Sequence, residues 1–344
     1  MSAPLRLTSD DRVLAIAPHP DDESIACGGL LLAARDAGAA RRVVTLTDGD
    51  NNPWPQRWLE KRWRMDASAR ARWGARRREE SQTALAQLGV AAGDRVFLGL
   101  PDTGLTRLLM RDGENFVASL RAQIADFRPT HIACPALADR HPDHSAAHVA
   151  VRLASHGTQS PAQLLAYRVH GEDSSQSSHL LELSAAQCDA KRSAIACHRT
   201  QMALSGKRFL AFATRSEHYD AAVAAPRSNL PFDAILRHGA ELRLRVRKQK
   251  LHGHRQILVL LADAHGECLP LECRLAAPDE RIEIRDPRGD GCSIASAHWQ
   301  SEADAWALTV PLAGPFTADI GFAKLSRSRA GLVVFDRYGW QPLA

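Results

Sequence analysis

Short apolar runs alternate with helical patterns through the first half of the chain. RVLAIAP (12–18) reads as a strand, followed by a helix from about Glu23 to Ala37, a strand at RVVTLTDG (42–49) and a helix ending at LAQLG (85–89). The rhythm continues with DRVFLGLP (94–101), a helix from Glu114 to Phe127, the strand THIACP (130–135), a helix from Pro142 to about Ser155, and QLLAYRV (163–169). Strand-length runs separated by single helices predict a mostly parallel sheet covered on both faces, a Rossmann-like doubly wound α/β domain. One more helix is expected over 188–204, where Ala, Ile and Cys share a face, before basic and aromatic residues that run to about Tyr219.

Beyond about Pro226 the period changes. AELRLRVRK, QILVLLAD, LPLECRLA, RIEIRDP, AWALTVPL and GLVVFDRYG are short alternating runs divided by polar turns, the pattern of a small antiparallel β-sandwich. A chain of 344 residues exceeds the usual single domain, so two domains are expected, 1–226 and 227–344. A hydrophobic content of 45% with 24% charged residues excludes disordered and fibrous classes.

Sheets of this kind bind ligands beyond the carboxyl ends of their strands. The polar clusters fall there: HPDDE after the first strand, TDGDNN after the second, PDTG after the third and DRHPDH after the fourth. The densest are Pro18-His19-Pro20-Asp21-Asp22-Glu23 and His141-Pro142-Asp143-His144. Two imidazoles and a carboxylate supply the donors a catalytic zinc uses while leaving a position for water, which makes His19, Asp22 and His144 the candidate ligands. His19 ends a strand and Asp22 opens a helix, so a tight turn can bring both to one ion. Pro142 suits the first turn of a helix that carries His141 and His144 on one face. An isolated Asp is often a helix cap and an isolated His merely exposed; the combination is what points to a metal. Iron(II) or another divalent ion suits the same donors.

PHPDDE followed by HPDH resembles the PIG-L/LmbE family of zinc-dependent N-deacetylases. The likeness extends through ESIACGG (23–29), TLTDG (45–49), RREESQTALAQLG (77–89), LPDTGL (100–105) and KRSAIACHRTQ (191–201). It covers roughly residues 10–220 and leaves out the β domain. The resemblance implies zinc at His19, Asp22 and His144, Asp21 as general base, and His141 polarising the carbonyl or stabilising the oxyanion. The residues alone allow these roles to be exchanged. The implied reaction hydrolyses the acetamide of a GlcNAc-type amino sugar to acetate and a free amine. Asp143 is placed either to orient a histidine or as a helix-start charge. Arg77 and Asp102 resemble sugar-contacting positions, although Arg77 can instead pair with Glu80 or another carboxylate. His198 and Gln201 resemble a late motif on the substrate side, or cap a neighbouring loop.

Net charge is only +5, but residues 57–78 hold eight arginines and one lysine against Glu60 and Asp66, interleaved with Trp58, Trp63 and Trp73 and preceded by Trp54. The insertion over residues 50–76 either docks as an amphipathic helix with solvated arginines or forms a lid that touches substrate. Its guanidinium groups favour an anionic substrate: a sugar phosphate, a nucleotide sugar or a phosphorylated glycolipid. No nucleic-acid motif accompanies it, so no nucleic-acid partner is expected. Tryptophans over 54–73 suit sugar stacking or peripheral contact with a membrane surface.

No run of about 18 apolar residues is present to span a bilayer, and MSAPLRLTSDDR reaches acidic residues before any signal-type core. Seven scattered cysteines lack a CxxC pair and read as reduced thiols; the expected compartment is the cytoplasm. Two other readings stay open. The amide cut belongs to another acylated conjugate, or the protein binds glycans through its β domain and its metal site is vestigial, against which stands the full set His19, Asp21, Asp22, His141 and His144.

Overall fold

The protein, a computed structural model, is described over residues 2–156, 162–171, 177–221, 230–238, 241–263, 266–275, 280–289, 291–312, 319–327 and 335–342. Ala3–Pro4 (β1) is a short edge strand. The first apolar run, Arg12–Ala17 (β2), leads through Asp22–Ile25 (α1) and Gly28–Asp36 (α2) to Ala40–Thr47 (β3). Then follow Pro53–Glu60 (α3), Ala67–Gln87 (α4), Arg95–Leu100 (β4), Leu105–Phe127 (α5), His131–Pro135 (β5), Pro142–Ser155 (α6) and Gln163–Tyr167 (β6). His179–Glu182 (β7), Ala185–Ala196 (α7), Arg199–Leu210 (α8) and Ser216–Ala221 (β8) complete the α/β half.

The chain divides into two compact units. The first comprises residues 1–105, 123–139 and 160–224, and the second residues 106–122, 140–159 and 225–344. The boundary expected between 226 and 227 lies outside the described residues.

In the first unit the strands form one sheet in the order β1-β7-β8-β6-β5-β2-β3-β4. Strands β2 to β6 run parallel, as the strand-helix rhythm predicts. Strand β8 is antiparallel to β6 and β7. The order reverses beside β2, so the crevice beyond its carboxyl end is the topological switch point of the sheet. Val13, Leu14 and Ala15 of β2 and Val43, Val44 and Leu46 of β3 are fully buried, as central parallel strands require when both faces are covered.

The helix expected over 23–37 is instead two, with Cys27 as the N-cap of α2. Glu217 accounts for the break. Its carboxylate accepts the N–H groups of Gly29 at 2.7 Å and Leu30 at 2.8 Å, neutralising the donors and positive dipole end of α2. Lys191 Nζ donates to the same carboxylate at 2.6 Å, and the Tyr219 hydroxyl at 2.7 Å. A Cβ on Gly29 would stand 2.7 Å from the Glu217 carboxyl carbon, so only glycine permits this approach. The helix expected over 188–204 is also two, with His198 as the N-cap of α8. Helix α5 starts at Leu105 rather than Glu114 and bends at Asp112.

The second unit contains Phe232–His238 (β9), Glu241–Arg247 (β10), Gln256–Ala262 (β11), Cys268–Arg274 (β12), Arg281–Arg285 (β13), Ser293–Ser301 (β14), Ala305–Pro311 (β15), Ile320–Ser326 (β16) and Gln341–Pro342 (β17). A sandwich of two separately paired sheets is not what these strands build. They form one continuous sheet, β17-β16-β11-β12-β13-β14-β15-β10-β9, whose neighbours are antiparallel. Phe232 near one edge and Leu325 near the other belong to a single apolar cluster with Leu244, Val259, Ile284 and Val310, so the sheet curls around one core. Alternation fixes which face is buried; it does not say where pairing stops. Residues 331–334 of the expected last strand lie outside the described residues.

Candidate active site

The Pro18–Pro20 turn leaves the carboxyl end of β2 and delivers His19 and Asp22 to the switch point. Asp22 Oδ2 accepts the His19 backbone N–H at 3.0 Å and lies 3.2 Å from His19 Nδ1. The other ring nitrogen, Nε2, lies 3.2 Å from Asp102 Oδ1, in the turn after β4. Asp102 also accepts the Asn51 N–H at 2.7 Å. Burial works to raise the Asp102 pKa, but the His19 ring, the Arg77 charge and the Asn51 N–H hold it well below the usual carboxylate range. Two ligand atoms on a tetrahedral zinc stand roughly 3.3 Å apart, given bond lengths of about 2.0–2.1 Å. The 3.2 Å between His19 Nδ1 and Asp22 Oδ2 therefore suits two ligands of one ion as well as a hydrogen bond. A ring with one nitrogen for a metal and the other on a carboxylate is the ordinary arrangement of a metal-binding histidine.

Asp21 has the backbone angles φ 145° and ψ −29°. That conformation costs an L-residue about 1–3 kcal/mol and persists only where the surroundings enforce it. The Asp21 N–H donates to Glu23 Oε2 at 2.9 Å. Arg77 clamps the other side: Nη2 donates to Asp21 Oδ2 at 2.9 Å and to the Pro20 carbonyl at 2.7 Å, and Nη1 donates to the Gly49 carbonyl at 2.6 Å. Gly49 has φ 61°, and a Cβ there would fall 1.8 Å from Arg77 Nη1. Burial pushes the Asp21 carboxyl up to about 6, against the downward pull of the Arg77 guanidinium.

Behind Asp21, Glu23 is fully buried and gathers several partners. Its carboxylate accepts hydrogen bonds from Ser81 Oγ at 2.9 Å and Ser24 Oγ at 3.2 Å and lies 3.2 Å from His198 Nε2. Burial disfavours a charged His198, yet Glu23 raises its pKa above the ordinary histidine value. Helix α8 therefore presents His198 to Glu23, while Gln201, one turn on and buried, donates its backbone N–H to the His198 carbonyl. Glu80 pairs with Arg76 and accepts from Thr200, leaving Arg77 to Asp21. From sequence Glu23 stood only as the last letter of the His19–Glu23 cluster, with no role, and Ser81 was not singled out. A signal existed: Ala69, Trp73, Arg77, Ser81, Ala84 and Leu85 form the buried stripe of α4, so Arg77 and Ser81 are polar residues on a core-facing period.

In the second unit, His141 caps α6 and accepts the Asp143 N–H at Nδ1, 3.2 Å away. A neutral His141 ring then carries its proton on Nε2. The His141 and His144 ring centroids are 5.1 Å apart, and Asp143 and His144 are fully buried.

Residues 14–155 match the family described as PIG-L: GlcNAc-PI de-N-acetylase, and over that span the chain is similar to its members. A 1D-myo-inositol 2-acetamido-2-deoxy-alpha-D-glucopyranoside deacetylase from Mycobacterium avium (strain 104) is 35% identical over 147 residues, 39% of this chain and 47% of the relative. The chain thus spans about half the length of the curated relatives it matches. Among solved structures, an N,N'-diacetylchitobiose deacetylase from Pyrococcus horikoshii aligns with a TM-score of 0.47 at 19% identity, over 61% of this chain and 82% of that one. A 4-carboxy-2-hydroxymuconate hydratase from Pseudomonas putida KT2440 aligns with a TM-score of 0.48 at 19% identity, over 64% and 99%. At these values neither structure bears on the reaction.

Proposed function

We propose that the protein is a metal-dependent N-deacetylase that hydrolyses the acetamide of a GlcNAc-type amino sugar to acetate and a free amine. The observation that carries this reading is the buried Asp21 carboxylate, held in a strained backbone by Arg77 and lying next to Asp22 and two residues from His19. Strain of this kind collects at sites where a side chain must be aimed.

His19, Asp22 and His144 would hold the ion, zinc or iron(II). Two imidazoles and a carboxylate are the donor types that a catalytic zinc takes. When bound, the ion supplies Lewis acidity to the attacking water and the acyl oxygen. Asp21, ionised above about 6, takes the proton from that water and later gives it to the departing amine. His141, with Nδ1 occupied by the Asp143 N–H, donates from Nε2 to the acyl oxygen as negative charge grows there. Arg77 and Asp102 serve in this reading as positioning residues for Asp21 and His19, and His198 serves Glu23. That departs from the sugar contacts implied by resemblance and leaves Gln201 as the candidate on the substrate side.

The basic segment 57–78 supports a phosphate-, nucleotide- or lipid-linked amino sugar. Among the described residues no helix is long and apolar enough to cross a membrane. All seven cysteines are free, which suits the reducing cytoplasm. The reading is tested by acetate release from free, nucleotide-linked and lipid-linked N-acetylhexosamines with metal-loaded protein. Release from at least one of them, abolished by chelation, is expected; silence across all of them with metal bound would contradict it.

A further inference from the structure

Helix α3 is inverted with respect to an ordinary docked amphipathic helix. It buries Pro55 and Gln56, the latter donating to the Ala69 carbonyl at 2.7 Å. It turns its tryptophans outward: Trp54 is 49% exposed, Trp58 58%, and Trp63 just beyond the helix 77%. With Leu59 they make up four of the six large exposed apolar side chains among the described residues. Scattered exposed apolar residues need no explanation, whereas a cluster marks an interaction surface. Trp73, from the same segment, is fully buried and belongs to the core.

Charge says what the surface fits. Arg57 lies over Trp54 at 5.1 Å and over Trp63 at 5.3 Å, and Lys61 lies over Trp58 at 4.6 Å. Arg62 and Arg64 are exposed beside them. A cation on the face of each indole occupies the surface a sugar ring would stack on, which disfavours a glycan platform. Indoles at headgroup depth with cations able to meet lipid phosphates are the composition of an interfacial segment. The patch also begins close to the candidate site, because Asn52 caps α3 and the neighbouring Asn51 N–H is bonded to Asp102.

We infer that Trp54, Trp58 and Trp63, with Arg57, Lys61, Arg62 and Arg64, dock the protein on the surface of an anionic lipid bilayer. Docking there presents the His19–Asp22 turn to an amino sugar carried by a lipid headgroup. That last clause rests on the proposed deacetylase reading; the docking does not.

The test is co-sedimentation of the full chain with vesicles of phosphatidylcholine alone and of phosphatidylcholine mixed with phosphatidylglycerol, with tryptophan emission followed in parallel. Binding to the anionic vesicles with a blue shift is expected, weakening as salt is raised. The Trp54→Ser/Trp58→Ser/Trp63→Ser variant is expected to bind about tenfold less or worse while unfolding at the wild-type temperature, since its changes are all at exposed sites. Undiminished binding by that variant, equal binding to neutral vesicles, or no vesicle binding at all would overturn the proposal. So would tryptophan quenching by neutral chitooligosaccharides in place of vesicles, or a patch-dependent dimer without vesicle binding. None of these readouts needs turnover, so failure of docking and failure of the deacetylase reading are seen separately.

Discussion

Arg77 donates to Asp21 at 2.9 Å and, through the same guanidinium, to the carbonyls of Pro20 and Gly49. An arginine pinned at three points aims the carboxylate it touches, and small misplacements of a catalytic group cost of order a hundredfold in rate. Arg77→Gln is therefore expected to lower kcat by about a hundredfold with KM changed only slightly, and Arg77→Lys to recover part of the loss. A rise in KM at unchanged kcat would assign Arg77 to gripping the sugar.

Gly49 tests the same clamp without altering its charge. Since a Cβ at that position meets Arg77 Nη1, Gly49→Ala should shift the guanidinium and reproduce the kcat defect of Arg77→Gln in steady-state kinetics. A variant with wild-type kcat would show that the Gly49 carbonyl is not needed to aim Asp21.

Lys191 and Glu217 form a buried ion pair, 1% and 5% exposed, at the start of α2. Removing one partner of such a pair leaves an uncompensated buried charge, which costs about 3–5 kcal/mol. Lys191→Met should lose that much stability in urea unfolding, and the double variant with Glu217→Gln should regain part of it. A loss under about 1 kcal/mol for Lys191→Met would mean that water reaches Glu217.

His198 gives stability a pH dependence of known sign. Its folded pKa is raised by Glu23 against the effect of burial. The contribution is complete below the ordinary histidine range and is lost as pH rises through the raised value. Unfolding midpoints of the wild type should fall from neutral to mildly alkaline pH relative to those of His198→Gln. Parallel pH profiles for the two proteins would show that folding does not raise the His198 pKa.

Legibility in the sequence followed the range of the interactions. The parallel strands and the His19–Glu23 and His141–His144 clusters were readable because local apolar runs and adjacent polar letters specify them. The breaks before α2 and α8 were not, since their causes lie far along the chain: Glu217 is 188 residues from Gly29, and Glu23 is in contact with His198. β7 and β8 escaped notice because HLLE and SEHYDA are short and partly polar. Spacing also grouped four tryptophans that burial divides, with Trp73 inside and Trp54, Trp58 and Trp63 outside. In the β unit the expected runs at β10, β11, β12, β13 and β15 are strands, whereas β9, β14 and β16 were not expected and residues 335–339 of the last expected run are not strand; the joining of the described strands into one sheet depends on pairing that no local pattern records.

In the proposed function Asp21 moves the proton in an amide hydrolysis whose ion is held by other residues. Bound metal and acetate release should be measured on the same samples of wild type, Asp21→Asn and Asp22→Ala. Asp21→Asn is expected to keep its metal and lose turnover by a factor of at least about a hundred, and Asp22→Ala to lose both. Acetate release by Asp21→Asn at the wild-type rate, with metal bound, would contradict it.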